Sequence, residues 1–178
     1  ECDLPWSPFI ALTAGSWDPT PPTNNVWERY YKAIKASFKF ENNVGRCKEL
    51  ANDLRIRYTG EAIFLRGYYY FLLLRQYGPV VLVKEDLPQT SDFGNMQRDS
   101  FDDCVDYIIE CMDKAYELLP YSYKSSDVNL GRATKVACNA VKAQVLLLAA
   151  SPQWNGNTDY YSSLRDKDGN PLVAGSYD

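Results

Sequence analysis

Apolar residues recur along the chain at steps of three and four, the spacing of an amphipathic helix, and they do so in four separate stretches. In the first, Trp27, Tyr30, Tyr31, Ile34 and Phe38 share one face of a helix that begins near Asn25 and exits through Glu41-Asn42-Asn43-Val44-Gly45. In the second, Leu50, Leu54, Tyr58, Leu65, Tyr68, Leu72 and Gln76 keep the same steps if Glu61 takes one place, and no proline interrupts Arg46 to Tyr77. Gly60 and Gly67 lie inside this helix. Each weakens it by roughly 1 kcal/mol relative to alanine, so two of them predict the close approach of a neighbour. Gly78 reads as the C-cap and Pro79 as the stop. The third stretch opens on Ser100 as N-cap, with Asp102 and Asp103 favourable in the first turn. Its face is Phe101, Cys104, Ile108, Cys111, Ala115 and Leu118, and Pro120 ends it. The fourth runs from about Thr134 to Ala150, made slim by five alanines with Ala133 just ahead of them, and with bulk from Val136, Val141, Val145 and Leu146 to Leu148.

The intervening stretches read as loops. Pro5, Pro8, Pro19, Pro21 and Pro22 with Gly15 argue for loop rather than regular structure over residues 1–25. Residues 84–99 and 121–131 are polar, and residues 151–178 carry the turn signals Asn155-Gly156-Asn157 and Asp168-Gly169-Asn170-Pro171. Val80 to Val83 form an extended apolar run, either a strand or a covering segment. The expected architecture is mainly all-α. Four helices over residues 26–150 form TPR-like antiparallel hairpins, flanked by loop-rich segments 1–25 and 151–178. No 34-residue sequence repeat is visible, so any repeat is structural. A stack this short needs neighbours or caps to bury its faces.

Composition narrows the chemistry. With 178 residues and 46% apolar content, the chain can bury a core of its own. No run approaches 18 apolar residues, and Glu1-Cys2-Asp3-Leu4-Pro5 has neither a basic nor an apolar leader region. The net charge is −4 and the cations are scattered, so no basic stripe offers itself to nucleic acid. Histidine is absent. That removes Ser-His-Asp and Cys-His nucleophiles, His-ligated metal sites and the commonest general base near neutrality. The five cysteines contain no C-x-x-C pair, and Cys104 and Cys111 lie seven apart on one helix, roughly 10 Å along its axis and too far for a mutual disulfide. They read as small buried hydrophobes. No catalytic residue, metal or cofactor is expected.

Several motifs in series carry a resemblance. They are Trp27-x-x-x-Tyr31-x-x-Ile34; Gly60-Glu61-Ala62-Ile63-Phe64-Leu65-Arg66-Gly67-Tyr68-Tyr69-Tyr70-Phe71 running to Tyr77-Gly78; Arg98-x-Ser100 with Val105-x-x-Ile108 and Ala115-x-x-x-Leu119-Pro120; Gly131-Arg132-Ala133-Thr134-Lys135; and Ala150-Ser151-Pro152 with Asn155-Gly156-Asn157. In this order they resemble the N-terminal helical-repeat half of the SusD/RagB-like group of outer-membrane nutrient-binding lipoproteins, over roughly residues 26–178. Two positions depart from that pattern: Gly67 stands where alanine is usual, and Pro79 follows Gly78 where an acid is usual. Members are longer, so the chain is expected to be a fragment whose C-terminal half lies elsewhere. Cys2 is too close to Trp27 to match the lipidated cysteine of the group and is not assigned that role.

The resemblance implies a protein on the extracellular face of the outer membrane, held by a lipid anchor outside these residues. It implies capture of an oligosaccharide, or of a peptide in some relatives. It also implies delivery to a SusC-like TonB-dependent transporter, without catalysis. Binding sugar requires an aromatic platform for the apolar face of a ring and polar groups for its hydroxyls. Trp6 and Trp17, in the proline-rich loop, are the candidate ligand contacts, with Asp18, Asn24 and Asn25 as nearby polar groups. Trp27 is assigned to the core and Trp154 to packing. Glu61 and Arg66 are read as cross-helix pairing, and Arg132 with Lys135 as a helix-start ion pair rather than an anion site. Two rival functions are a glycoside hydrolase, for which no motif selects a carboxylate pair, and a helical scaffold for protein contacts.

Overall fold

The computed structural model describes residues 15, 25–88, 90–91, 94–124 and 128–173. They form five helices: α1 (Trp27–Val44), α2 (Asn52–Tyr77), α3 (Phe101–Leu118), α4 (Lys135–Ala149) and the short α5 (Thr158–Tyr161). No strand is present among the described residues. Among the described residues the one pairing is an isolated antiparallel bridge between Arg165 and Pro171. The first four helices stack in sequence, α1 on α2, α2 on α3 and α3 on α4, as expected of two antiparallel hairpins.

The caps explain where two helices begin. Ser100 accepts a hydrogen bond from the Asp103 amide at 3.0 Å, satisfying one of the unpaired donors of the first turn of α3. Thr134 does the same for Ala137 in α4 at 3.2 Å. The second helix is shorter than its proline-free run allows: residues 45–51 form turns, and Asn52 rather than Arg46 opens α2.

The buried face of α2 differs from the stripe that periodicity picks out. Gly60, Ala62, Ile63, Arg66, Gly67, Tyr70, Phe71, Leu73 and Leu74 are buried, whereas Leu65 is 43% exposed and Gln76 faces solvent. The reason is position in the stack. α2 lies between α1 and α3 and buries two faces, so a single stripe at 3.6-residue spacing does not describe it. Its glycines serve the α3 side. A Cβ on Gly60 would lie 2.9 Å from Leu118 Cβ, and one on Gly67 would lie 2.8 Å from Cys111 Cβ and 2.5 Å from Met112 Cε.

The last of the four stacked helices, α4, differs in the opposite sense. Cys138, Val141, Val145 and Ala149 face α3 and are buried, but Val136, Leu146 and Leu147 are exposed. Its alanines do not draw in helices on every side. Ala140 and Ala143 are exposed as well.

The run Val80 to Val83 is a covering segment, not a strand. Gly78, at φ +68°, turns the chain out of α2. Side chains then take over the hydrogen bonds that a strand partner would make. Tyr31 donates to Val81 O at 2.6 Å, Tyr70 accepts from the Val83 amide at 2.8 Å, and Asp99 accepts from the Leu82 amide at 2.7 Å. Trp154 closes this corner. It stacks between Phe101 and Tyr161, with centroids at 4.5 and 4.8 Å, and its ring edge lies against Gly78. It is 6% exposed, in keeping with a packing role.

Candidate functional site

Two cavities open beside the start of α1 and share Trp27, Val81 and Met96 as lining residues. The first, about 360 Å³, is walled by Tyr31, Ile34, Val81, Val83, Leu87 and Met96, with Lys35 and Glu85 at its edge. The second, about 330 Å³, adds Gln97, Arg98, Arg165, Asp166 and Lys167. Together they form a trough that is apolar at one end and charged at the other, with an indole between.

Aromatic packing fixes that indole. Tyr31 tilts onto Trp27 at 4.9 Å and Tyr77 meets it edge-on at 5.2 Å. Tyr77 is tied to the chain entering α1, because its hydroxyl accepts from the Val26 amide at 3.0 Å and donates to Asn25 Oδ1 at 3.3 Å. Trp27 is half-buried and lines both cavities, so its assignment to the core holds for only part of the ring. Burial pushes the Tyr31 phenol well above its ordinary range, which keeps it a donor to Val81 at any physiological pH.

The charged end comes from two distant loops. Lys167 Nζ donates to Gly94 O at 3.1 Å, and Gln97 Nε2 donates to Asp168 Oδ2 at 3.2 Å, bridging residues more than seventy apart in sequence. The turn that carries Lys167 is organised by Asp166. Its carboxylate accepts from the Asp168 amide, the Asn170 amide and Asn170 Nδ2 at 2.8–2.9 Å, and these bonds hold it below the usual carboxylate range. Gly169, at φ +86°, closes the turn. Leu172 then donates to Leu164 O and accepts from the Phe101 amide, locking the loop to the start of α3.

A third cavity, about 510 Å³, lies between α1 and α2 and is lined by Phe40, Tyr58, Leu65 and Tyr69 with Glu61 and Arg132. Its charged groups are occupied by one another. Arg132 donates to both carboxylate oxygens of Glu61 and lies 4.9 Å over the Tyr58 ring. This bidentate pair ties α2 to the entry of α4, so Arg132 bridges elements as an ion pair. Arg66 is likewise structural. It is 6% exposed, donates to Ser37 Oγ and Glu41, and stacks 3.6 Å over Phe38.

The sequence candidates Trp6, Trp17, Asp18 and Asn24 lie outside the described residues. Asn25, next to them, flanks the trough. Sequence reading missed Arg98, Arg165 and Lys167 as neighbours of Trp27, because nothing local signals a contact made across seventy residues. Among the described residues no group of His, Cys, Asp or Glu could hold a metal ion. Cys104, Cys111 and Cys138 are buried thiols whose pKa burial raises to about 12, about 11 and about 11 respectively, while Cys47 is exposed. Among the described residues no helix is long and apolar enough to cross a membrane.

A stack of helical hairpins with an aromatic trough beside its first helix defines the class: a helical-repeat protein that presents a concave surface. The SusD-like family described as "Starch-binding associating with outer membrane" matches residues 10–147, and the chain belongs to it. The structure of BT4246 superposes with a TM-score of 0.78 at 30% identity, over 87% of this chain and 27% of its own. A SusD-like protein from Bacteroides fragilis NCTC 9343 is 37% identical, with a TM-score of 0.62 over 68% of this chain and 23% of its own. A laminarin-binding SusD-like protein shares the fold at 20% identity, with a TM-score of 0.63 over 80% of this chain and 34% of its own. No curated protein matches. The chain thus spans about a quarter of the length of the first two relatives.

Proposed function

We infer that the chain is part of a surface glycan-binding protein that captures oligosaccharide without cleaving it and passes it to a TonB-dependent outer-membrane transporter. Family membership over residues 10–147 carries this reading, the family being described as starch-binding and outer-membrane-associated. A solved relative of the same fold is named for laminarin binding, which supports a sugar as the ligand class. In this reading a lipid anchor outside these residues holds the protein at the cell surface, and these residues are the N-terminal helical part of a longer domain.

The ligand is bound by Trp17 and Trp6, with Asp18 and Asn24 supplying polar contacts. These residues come before Trp27 in the chain, and Trp27 lines a trough that has an aromatic shelf and a polar rim. Sugar recognition needs that pairing of a flat apolar face with hydrogen-bonding groups. The test is calorimetric titration of the full-length protein with an oligosaccharide selected from a glycan array. Trp17→Ala is expected to weaken binding at least tenfold while leaving the circular dichroism spectrum unchanged. Unchanged affinity would remove Trp17 from the site. Release of reducing ends from the bound glycan would replace the binding role with hydrolysis.

A further inference from the structure

The trough beside Trp27 is not neutral. Lys35, Arg98, Arg165 and Lys167 line it, against only Glu85 and Asp166. This excess of positive charge sits in a chain whose net charge is −4. Asp166 keeps its charge, but its oxygens accept three hydrogen bonds inside its own turn and it pairs with none of these cations among the described residues. The cations are held in place. Arg165 is anchored to Gly169 O at 2.9 Å, Lys167 to Gly94 O at 3.1 Å and Lys35 to Leu87 O at 3.1 Å. None of the three is in an ion pair among the described residues. Arg98 makes no ion pair among the described residues. A concave surface lined by one sign of charge raises the local concentration of the opposite sign.

We propose that this trough is a subsite for an acidic saccharide, with the apolar face of a sugar ring on Trp27 and its carboxylate toward Arg98, Arg165 and Lys167. Arginine forks match a carboxylate in two-point geometry, and the polar end of the trough supplies two of them. The proposal rests on the glycan-binding reading and adds the charge class of the ligand. It also predicts salt dependence, because exposed charges are screened over about 8 Å at physiological ionic strength.

The experiment uses the full-length protein and a panel of uronate-containing oligosaccharides, each paired with its carboxyl-reduced counterpart. Affinities are measured by calorimetry in low and in high salt. The acidic member of a pair is expected to bind at least tenfold tighter in low salt, with the advantage shrinking in high salt. The double variant Arg98→Gln, Lys167→Gln is expected to bring the two members within about threefold. Lys39→Gln, an exposed lysine lining neither cavity, is expected to leave the advantage intact. Equal binding of paired members overturns the charge assignment and leaves glycan binding standing. An advantage that persists in the double variant overturns the location. Binding to no member of the panel, nor to any neutral glycan, overturns this proposal together with the glycan reading.

Discussion

At the scale of single residues, three glycines carry the packing of the second helix, and they do so for different reasons. Gly60 and Gly67 let α3 approach α2, since a Cβ at either position would press on Leu118 or on Cys111 and Met112. Gly78 needs both its positive φ and the absence of a side chain, because a Cβ would lie 2.8 Å from the rigid ring of Trp154. Alanine at position 67 gains about 1 kcal/mol of helix propensity but overpacks a filled contact. Gly67→Ala is therefore expected to destabilise by about 1–2 kcal/mol, and Gly78→Ala by about 2–4 kcal/mol. Gly45 has open space and an ordinary helical φ. Gly45→Ala serves as the control and is expected to be neutral or slightly stabilising, by up to about 1 kcal/mol. Urea denaturation midpoints check all three.

At the scale of elements, cross-helix charge pairs set how the hairpins join. Glu61 is only 14% exposed and holds Arg132 through two bonds, with Arg57 4.0 Å away on the other side. Removing Arg132 leaves a partly buried carboxylate without its main partner. Arg132→Gln is expected to cost about 1–3 kcal/mol, and the double variant with Glu61→Gln to cost less than the sum of the single changes. A double-mutant cycle on unfolding free energies measures that coupling, and strict additivity would mean the pair contributes nothing to the joint. The motif residues Glu61 and Arg132 thus join α2 to the entry of α4, Arg66 ties α2 to α1, and Gly131, at φ +92°, supplies the turn ahead of α4.

At the scale of the whole molecule, the core is built around groups that must stay neutral. Cys104, Cys111 and Cys138 are raised from 9.0 to about 12, about 11 and about 11 by burial, and Tyr31, Tyr70 and Tyr107 are raised above their ordinary value of 10.0 for the same reason. An acid whose pKa is higher folded than unfolded stabilises the fold fully below its unfolded pKa. That contribution fades as pH climbs toward the folded value. Stability is expected to change little on account of these groups up to about pH 8, and to fall steadily from about pH 9 toward pH 12. Denaturation midpoints measured from pH 7 to pH 11 check this. A rise in stability across that range would contradict the sign.

The four main helices, two of their caps and their order along the chain were legible in the sequence, because each depends on local spacing and on which side chains can satisfy a free helix end. The family was legible too, from short motifs in series that the later comparison bears out. Which face of α2 is buried was not legible. A helix packed on two sides carries no single stripe, and only its place between α1 and α3 explains why Leu65 is exposed while Arg66 is buried. The fate of Val80 to Val83 was equally open, since an apolar run does not reveal whether its backbone pairs with a strand or, as here, with the side chains of Tyr31, Tyr70 and Asp99. The trough belongs wholly to tertiary structure. Trp27, Arg98, Arg165 and Lys167 meet because loops far apart in the chain close over the start of one helix, and no local propensity records a contact of that range.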